Sequence, residues 1–179
     1  GLAGARSRDG LCRAVRAEAA AAGADAHAVA QVCRARAAAA TVVFYVHTLE
    51  HLRRGGRIGS AAALLGSALA IKPILALRDG HIEPEERVRT SAKALARMVD
   101  LATDAARRAR ESGRIVDICV QHLDFAGRAE ELAVALGERV PDAGEVRVGE
   151  LGAVVGAHVG PGTVAVSVSP RPESPSTGP

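Results

Sequence analysis

Thr41-Val-Val-Phe-Tyr-Val-His-Thr-Leu-Glu-His-Leu-Arg-Arg-Gly-Gly-Arg-Ile-Gly-Ser60 joins two kinds of local order in one short stretch. Thr41 to Val46 is β-branched and aromatic without polar interruption, which reads as a buried strand. Thr48 then stands where it can cap a short helix, and that helix closes at Gly55, the favoured residue just past a helix end. Gly56-Arg-Ile-Gly59 is the turn that follows. Ser60 is placed to cap a further helix over residues 61–70, whose apolar character requires burial. A strand that runs directly into helices marks an α/β chain, and the remaining sequence continues the alternation.

Upstream, residues 8–22 and 26–39 read as alanine-rich helices broken at Ala22-Gly-Ala-Asp25, with Asp25 as N-cap of the second. Downstream, Arg78-Asp-Gly80 between two strand-like runs is a hairpin signal. Thr90 opens a long helix to about residue 112, with Leu95, Met98, Ala102, Ala105 and Ala109 forming its inward stripe. Residues 115–120 form another buried strand. Ala129, Leu132, Ala133, Leu136 and Val140 mark an amphipathic helix stopped by Pro141, and Asp124 is a candidate cap before it. Residues 145–148 begin a third strand region that 153–155 continue. In 163–168, Val164, Val166 and Val168 alternate with smaller residues, which predicts a half-buried strand. The predicted fold is α/β, a mixed β-sheet layered with helices. Residues 1–40 are connecting helices, 41–168 the α/β lobe and 169–179 a disordered tail.

Hydrophobic residues make up 48% of the 179-residue chain and aromatic ones 2%, so the core is built from Ala, Val, Leu and Ile. A net charge of +3, with arginines scattered among nearly as many acids, reads as ordinary solvated helix faces. Neither the clustered basic residues nor the stacking aromatics of a nucleic-acid binder are present. Cys12, Cys33 and Cys119 are far apart and lack metal-ligand spacing, which fits free thiols in a reducing cytoplasm. No signal peptide or apolar run of membrane-spanning length is visible, so stable membrane insertion is not expected. The chain begins at Gly1, in what reads as a helix already under way; a fragment is the expectation.

Two glycine-rich segments could carry chemistry. At Gly55-Gly-Arg57, a turn entering a new helix would expose N–H groups that favour an anion, and Arg57 adds a planar donor fork. The helix over 61–70, with Leu65, would supply an apolar wall. The alternative is a helical corner whose arginines meet surface carboxylates. Gly156-Ala-His-Val-Gly-Pro-Gly162 reads as a shaped loop between strands, in which His158 can donate to an anion or move a proton. A structural histidine bonded to a backbone carbonyl is equally compatible. His47 and His51 are four apart but lack a third metal ligand. Asp117, His122 and Asp124 surround a strand end, where α/β sites form. The arginines of helix 90–112 could form a docking face.

The order of these blocks resembles the DegV family of bacterial fatty-acid-binding proteins. The resemblance runs through Thr48-Leu-Glu-His-Leu-Arg-Arg-Gly-Gly-Arg-Ile-Gly59, Ala-Ala-Leu-Leu-Gly66 and Ile71-Lys-Pro-Ile74. It continues at Gly80, Val88-Arg-Thr90, Ala92-Lys-Ala-Leu95 and Gly156-x-His-x-Gly-Pro-Gly162, covering roughly residues 8–168. It implies one of two α/β lobes with a long-chain fatty acid held non-covalently between them and no catalytic machinery or cofactor. The fatty acid would be presented to a separate fatty acid kinase, which makes acyl phosphate for phospholipid synthesis. Arg57 and His158 would lie near the carboxylate, with Gly55, Gly56, Gly160 and Gly162 shaping the site and Leu65 in its wall. His47 stands where the family usually has aspartate. The family's N-terminal lobe, with its carboxylate-binding hydroxyls, is expected to be missing, so this chain would bind lipid poorly alone. The rival readings are a ligand-free interaction module and a small-molecule phosphotransferase using His158.

Overall fold

The computed structural model of the protein describes Gly23 and residues 25–65 and 71–171. In chain order the elements are α1 (Ala26–Ala39), β1 (Thr41–Tyr45), α2 (Glu50–Arg54), a 3-10 helix (Gly59–Leu64), β2 (Lys72–Arg78) and β3 (His81–Val88). They continue with α3 (Ser91–Glu111), β4 (Val116–Leu123), α4 (Ala126–Arg139), β5 (Glu145–Glu150), α5 (Ala153–Val159) and β6 (Thr163–Pro170). The strands form one six-stranded sheet in the order β3-β2-β1-β6-β4-β5. Only the β4–β5 pair at one edge is parallel, joined by α4, so the sheet is mixed as predicted.

Local chemistry accounts for several boundaries. Asp25 caps α1 by accepting from the Ala28 N–H at 2.8 Å. The Thr90 hydroxyl accepts from the Lys93 N–H at 3.2 Å and starts α3. Asp79 (φ +49°) and Gly80 (φ +80°) are both left-handed, as a tight two-residue hairpin turn between β2 and β3 requires.

The sheet is covered on both faces. Val43 and Tyr45 of β1 pack with Ile118 and Val120 of β4 and Val164 and Val166 of β6 against α3 and α4. All five residues of the predicted α3 stripe are buried there. On the other face, Val42, Phe44 and Val46 pack with Leu75, Leu77 and Ala165 against Leu52 of α2, Ala61 and Leu64 of the 3-10 helix and Val159 of α5. Burial on both faces explains the unbroken apolar run of β1.

Six expectations are corrected. β6 is buried along its whole length, because its second row is small and bonded rather than solvated. Ser169 accepts from Arg36 Nε at 3.2 Å, and Ser167 lies 3.5 Å from the Cys119 carbonyl. Ser169 and Pro170 therefore belong to the strand and not to a tail; residues 172–179 lie outside the described residues, as does the predicted helix over 8–22. Residues 153–155 are helical: Gly156 N–H donates to Gly152 O, as the chain returns from edge strand β5 to central strand β6. The predicted helix over 61–70 is a short 3-10 helix that stops at Leu65 in extended backbone, and residues 66–70 lie outside the described residues. Ser60 lies within that helix and caps nothing; the N-cap position is Ile58. Asp124 has φ +53° and does not cap α4, whose N-cap position is Phe125.

Candidate functional site

The two glycine-rich segments, about a hundred residues apart in sequence, meet in space because β1 and β6 are neighbours in the sheet. Each segment hangs from the end of one of these strands. α2 and α5 then pack against each other through side chains that use the glycines of the opposite segment. The His158 ring lies against Gly55, where a Cβ would collide with its Nδ1. The His51 ring lies in the same way against Gly160, and His47 against Gly162, where a Cβ would stand 3.2 Å from the His47 Cβ. At Gly55 and Gly160 only glycine permits this approach, and Gly160 and Gly162 also hold φ near +77° and +76°.

The Gly55-Gly56-Arg57 turn differs from the predicted anion-binding helix start. Its backbone N–H groups close the end of α2: Gly55 N–H donates to His51 O, Gly56 N–H to Arg53 O and Arg57 N–H to Leu52 O, at 2.9–3.0 Å. This is a helix C-terminus, the negative end of the helix dipole, so the backbone offers an anion nothing here. Any anion recognition falls to the Arg57 side chain. Arg57 is exposed and donates weakly to Gly55 O at 3.4 Å.

Electrostatics set Arg57 apart. Arg53 and Arg54 both bond Glu50, with Arg53 Nη2 at 2.6 Å and Arg54 Nε at 2.8 Å. The hydrogen bond from Arg53 lowers the Glu50 pKa to about 2; desolvation opposes it and the bond from Arg54 adds to it. Glu50 therefore stays ionised and engages both neighbours, while Arg57 has no acidic partner among the described residues. Arg57 and the half-buried His158, which meet at Gly55, both line an apolar cavity. Val42, Phe44 and Ala165 form the sheet side of that cavity, with Leu52, Leu77, Ile82, Val155 and Val159 around them. Its volume is about 60 Å³, well below the ~300–1,000 Å³ of a complete ligand pocket.

Arg57, His158, Gly55, Gly56, Gly160 and Gly162 are thus brought together. Leu65 is 41% exposed and is not part of the cavity lining. Sequence reading missed His51 as the mate of Gly160, and also Thr163, whose hydroxyl reaches back into the Gly160 turn. Phe44 was visible as strand core but not as cavity wall.

The other candidates lie apart. Asp117 is buried under α1, held by Arg36 Nη2 at 2.6 Å and Arg171 Nη2 at 2.7 Å. His122 pairs with Val164 across the β4–β6 ladder, and its buried Nδ1 has no hydrogen-bond partner among the described residues. Among the described residues no group of His, Cys, Asp or Glu could hold a metal ion. On α3, Arg97 bonds Glu86 and Asp100, Arg107 bonds Asp104 and Arg110 bonds Asp142, so these three are engaged with acids of the same molecule. No described helix is long and apolar enough to cross a membrane.

The fold and site define a class: an α/β lobe whose paired glycine turns set a guanidinium and an imidazole at the rim of an apolar cavity. The chain belongs to the DegV family, whose model, described as uncharacterised DegV-family protein, matches residues 9–171. A DegV domain-containing protein of Streptomyces coelicolor is 49% identical over 162 residues, covering 90% of this chain and 56% of that protein. A solved structure described as fatty acid binding of a DegV family protein from Thermus thermophilus superimposes with TM-score 0.79 at 30% identity, covering 90% of this chain and 56% of that one. DegV of Bacillus subtilis, described as a fatty acid binding protein, gives 0.73 at 28% identity with the same coverage. The chain spans about half the length of the curated relatives it matches.

Proposed function

We propose that this chain is a fatty-acid-binding lobe, holding the carboxylate of a long-chain fatty acid at Arg57 and His158 and the start of its acyl chain in the apolar cavity. The observation that carries this reading is Arg57, which has no acidic partner among the described residues, lining with His158 a cavity walled by Val42, Phe44, Leu77 and Ile82. A guanidinium matches a carboxylate in charge and geometry. An apolar wall contributes about 0.8 kcal/mol per buried methylene. The related structures described as fatty acid binding support the same ligand class.

The small enclosed volume makes this lobe one wall of the site. In a protein of the relatives' full length, the remaining half closes over the chain and adds head-group ligands. The bound carboxylate is then presented to a separate fatty acid kinase, in the cytoplasm, for acyl phosphate and phospholipid synthesis. The lobe itself binds and does no chemistry.

Native mass spectrometry tests the reading on this chain and on a form of the relatives' full length, each purified from bacteria. A co-purifying fatty acid on the longer form supports it and gives the acyl length. If both forms are empty and remain so after palmitate is added, the proposal fails.

A further inference from the structure

Thr163 opens β6 and is 1% exposed. It lines the cavity beside Ala165, and its hydroxyl faces a choice. A hydroxyl carries one proton. Thr163 Oγ1 donates it to Gly160 O at 2.8 Å, with Val159 O at 3.2 Å. Both carbonyls belong to the open end of α5, beyond the reach of its own N–H ladder. Thr163 is itself fixed, because it pairs with Leu123 of β4 and the adjacent Gly162 N–H donates to Leu123 O at 2.8 Å. The hydroxyl therefore ties the last turn of α5 to the middle of the sheet. His158 sits in that turn, with its ring seated on Gly55.

We infer that Thr163 is the positioning residue for His158: its hydroxyl bonds the end of α5 and so sets where the imidazole stands beside Arg57, without itself donating to a ligand. The binding consequence rests on the fatty-acid reading, whereas the geometric consequence does not.

The test compares Thr163→Val, which keeps the shape and removes the proton, with Thr163→Ser, which keeps the hydroxyl. The first readout is the His158 ring resonances by NMR, without ligand, with His81, which is outside the cavity lining, as control. Thr163→Val should shift the His158 signals while those of His81 stay fixed, and Thr163→Ser should restore them. The second readout is palmitate affinity of a form of the relatives' full length, expected to fall about tenfold in Thr163→Val, the worth of one hydrogen bond, and to recover in Thr163→Ser. Unmoved His158 signals in Thr163→Val overturn the inference. So does a Thr163→Ser variant as impaired as Thr163→Val, which would assign the role to the methyl group. If Thr163→Val fails to fold, exchange of the wild-type Thr163 hydroxyl proton decides: slow exchange supports the bond to Gly160 O, and exchange at the solvent rate overturns it. A wild type that takes up no palmitate would sink the fatty-acid reading alone, since the His158 readout needs no ligand.

Discussion

Gly160→Ala tests whether the two glycine turns really mould each other. Gly160 has φ +77° and ψ 171°, a region open essentially to glycine. An alanine held there stores about 1–3 kcal/mol of backbone strain. Its Cβ would also overlap the His51 ring, and such overpacking costs a further ~1–3 kcal/mol. Together these give about 2–6 kcal/mol, which at roughly 2–4 °C per kcal/mol is a loss of about 4–24 °C in Tm. The two contributions separate in a double-mutant cycle. In a His51→Ala background the ring is gone, so Gly160→Ala should cost only the strain, and the coupling should be about 1–3 kcal/mol. Urea unfolding of the four proteins, followed by circular dichroism, supplies the numbers. Equal destabilisation by Gly160→Ala in both backgrounds would refute the contact between His51 and Gly160, and with it the account of how the segments are held together.

Arg57→Ala should leave Tm within about 2 °C of wild type, because the side chain is exposed and has no acidic partner among the described residues, yet weaken palmitate binding to a form of the relatives' full length by about tenfold or more; isothermal titration calorimetry checks both affinity and stoichiometry. Asp117→Asn leaves buried Arg36 without its counter-charge and should cost about 3–5 kcal/mol in urea unfolding. Burial pushes the Asp117 pKa up, but the bonds from Arg171 and Arg36 outweigh it, and the net shift is downward. A depressed carboxylate pKa contributes stability above its unfolded value of about 3.9, lost as pH falls through the folded value. The wild type should therefore lose stability below about pH 4 more steeply than Asp117→Asn does. Burial raises the Cys119 pKa to about 11, so at pH 8 the native protein should resist alkylation there and react only on unfolding, as peptide mapping would reveal.

Much of the architecture was legible because it rests on local chemistry. The unbroken apolar run from Thr41 announced a buried strand, Asp79-Gly80 a hairpin, and Asp25 and Thr90 their helix starts; each requirement is met within a few residues of chain. Membership of the DegV family was legible for the same reason, since its blocks are short and keep their order. Where the reading failed, distant contacts had overridden local preference. Val154 and Val155 suit a strand but lie in a helix returning from β5 to β6. The polar row of β6 looks solvent-facing, yet Arg36, more than a hundred residues away, buries Ser169 by bonding it. The site divides along the same line. Arg57 and His158 could be picked out as candidates from glycine and charge alone. Their neighbourhood, the seating of His158 on Gly55 and His51 on Gly160, and the end of α2 taking up the turn's N–H groups arise only once β1 and β6 pair. Sequence spacing carries propensity and pattern, but which side chain fills the space left by which glycine is set by the packing of elements far apart in the chain.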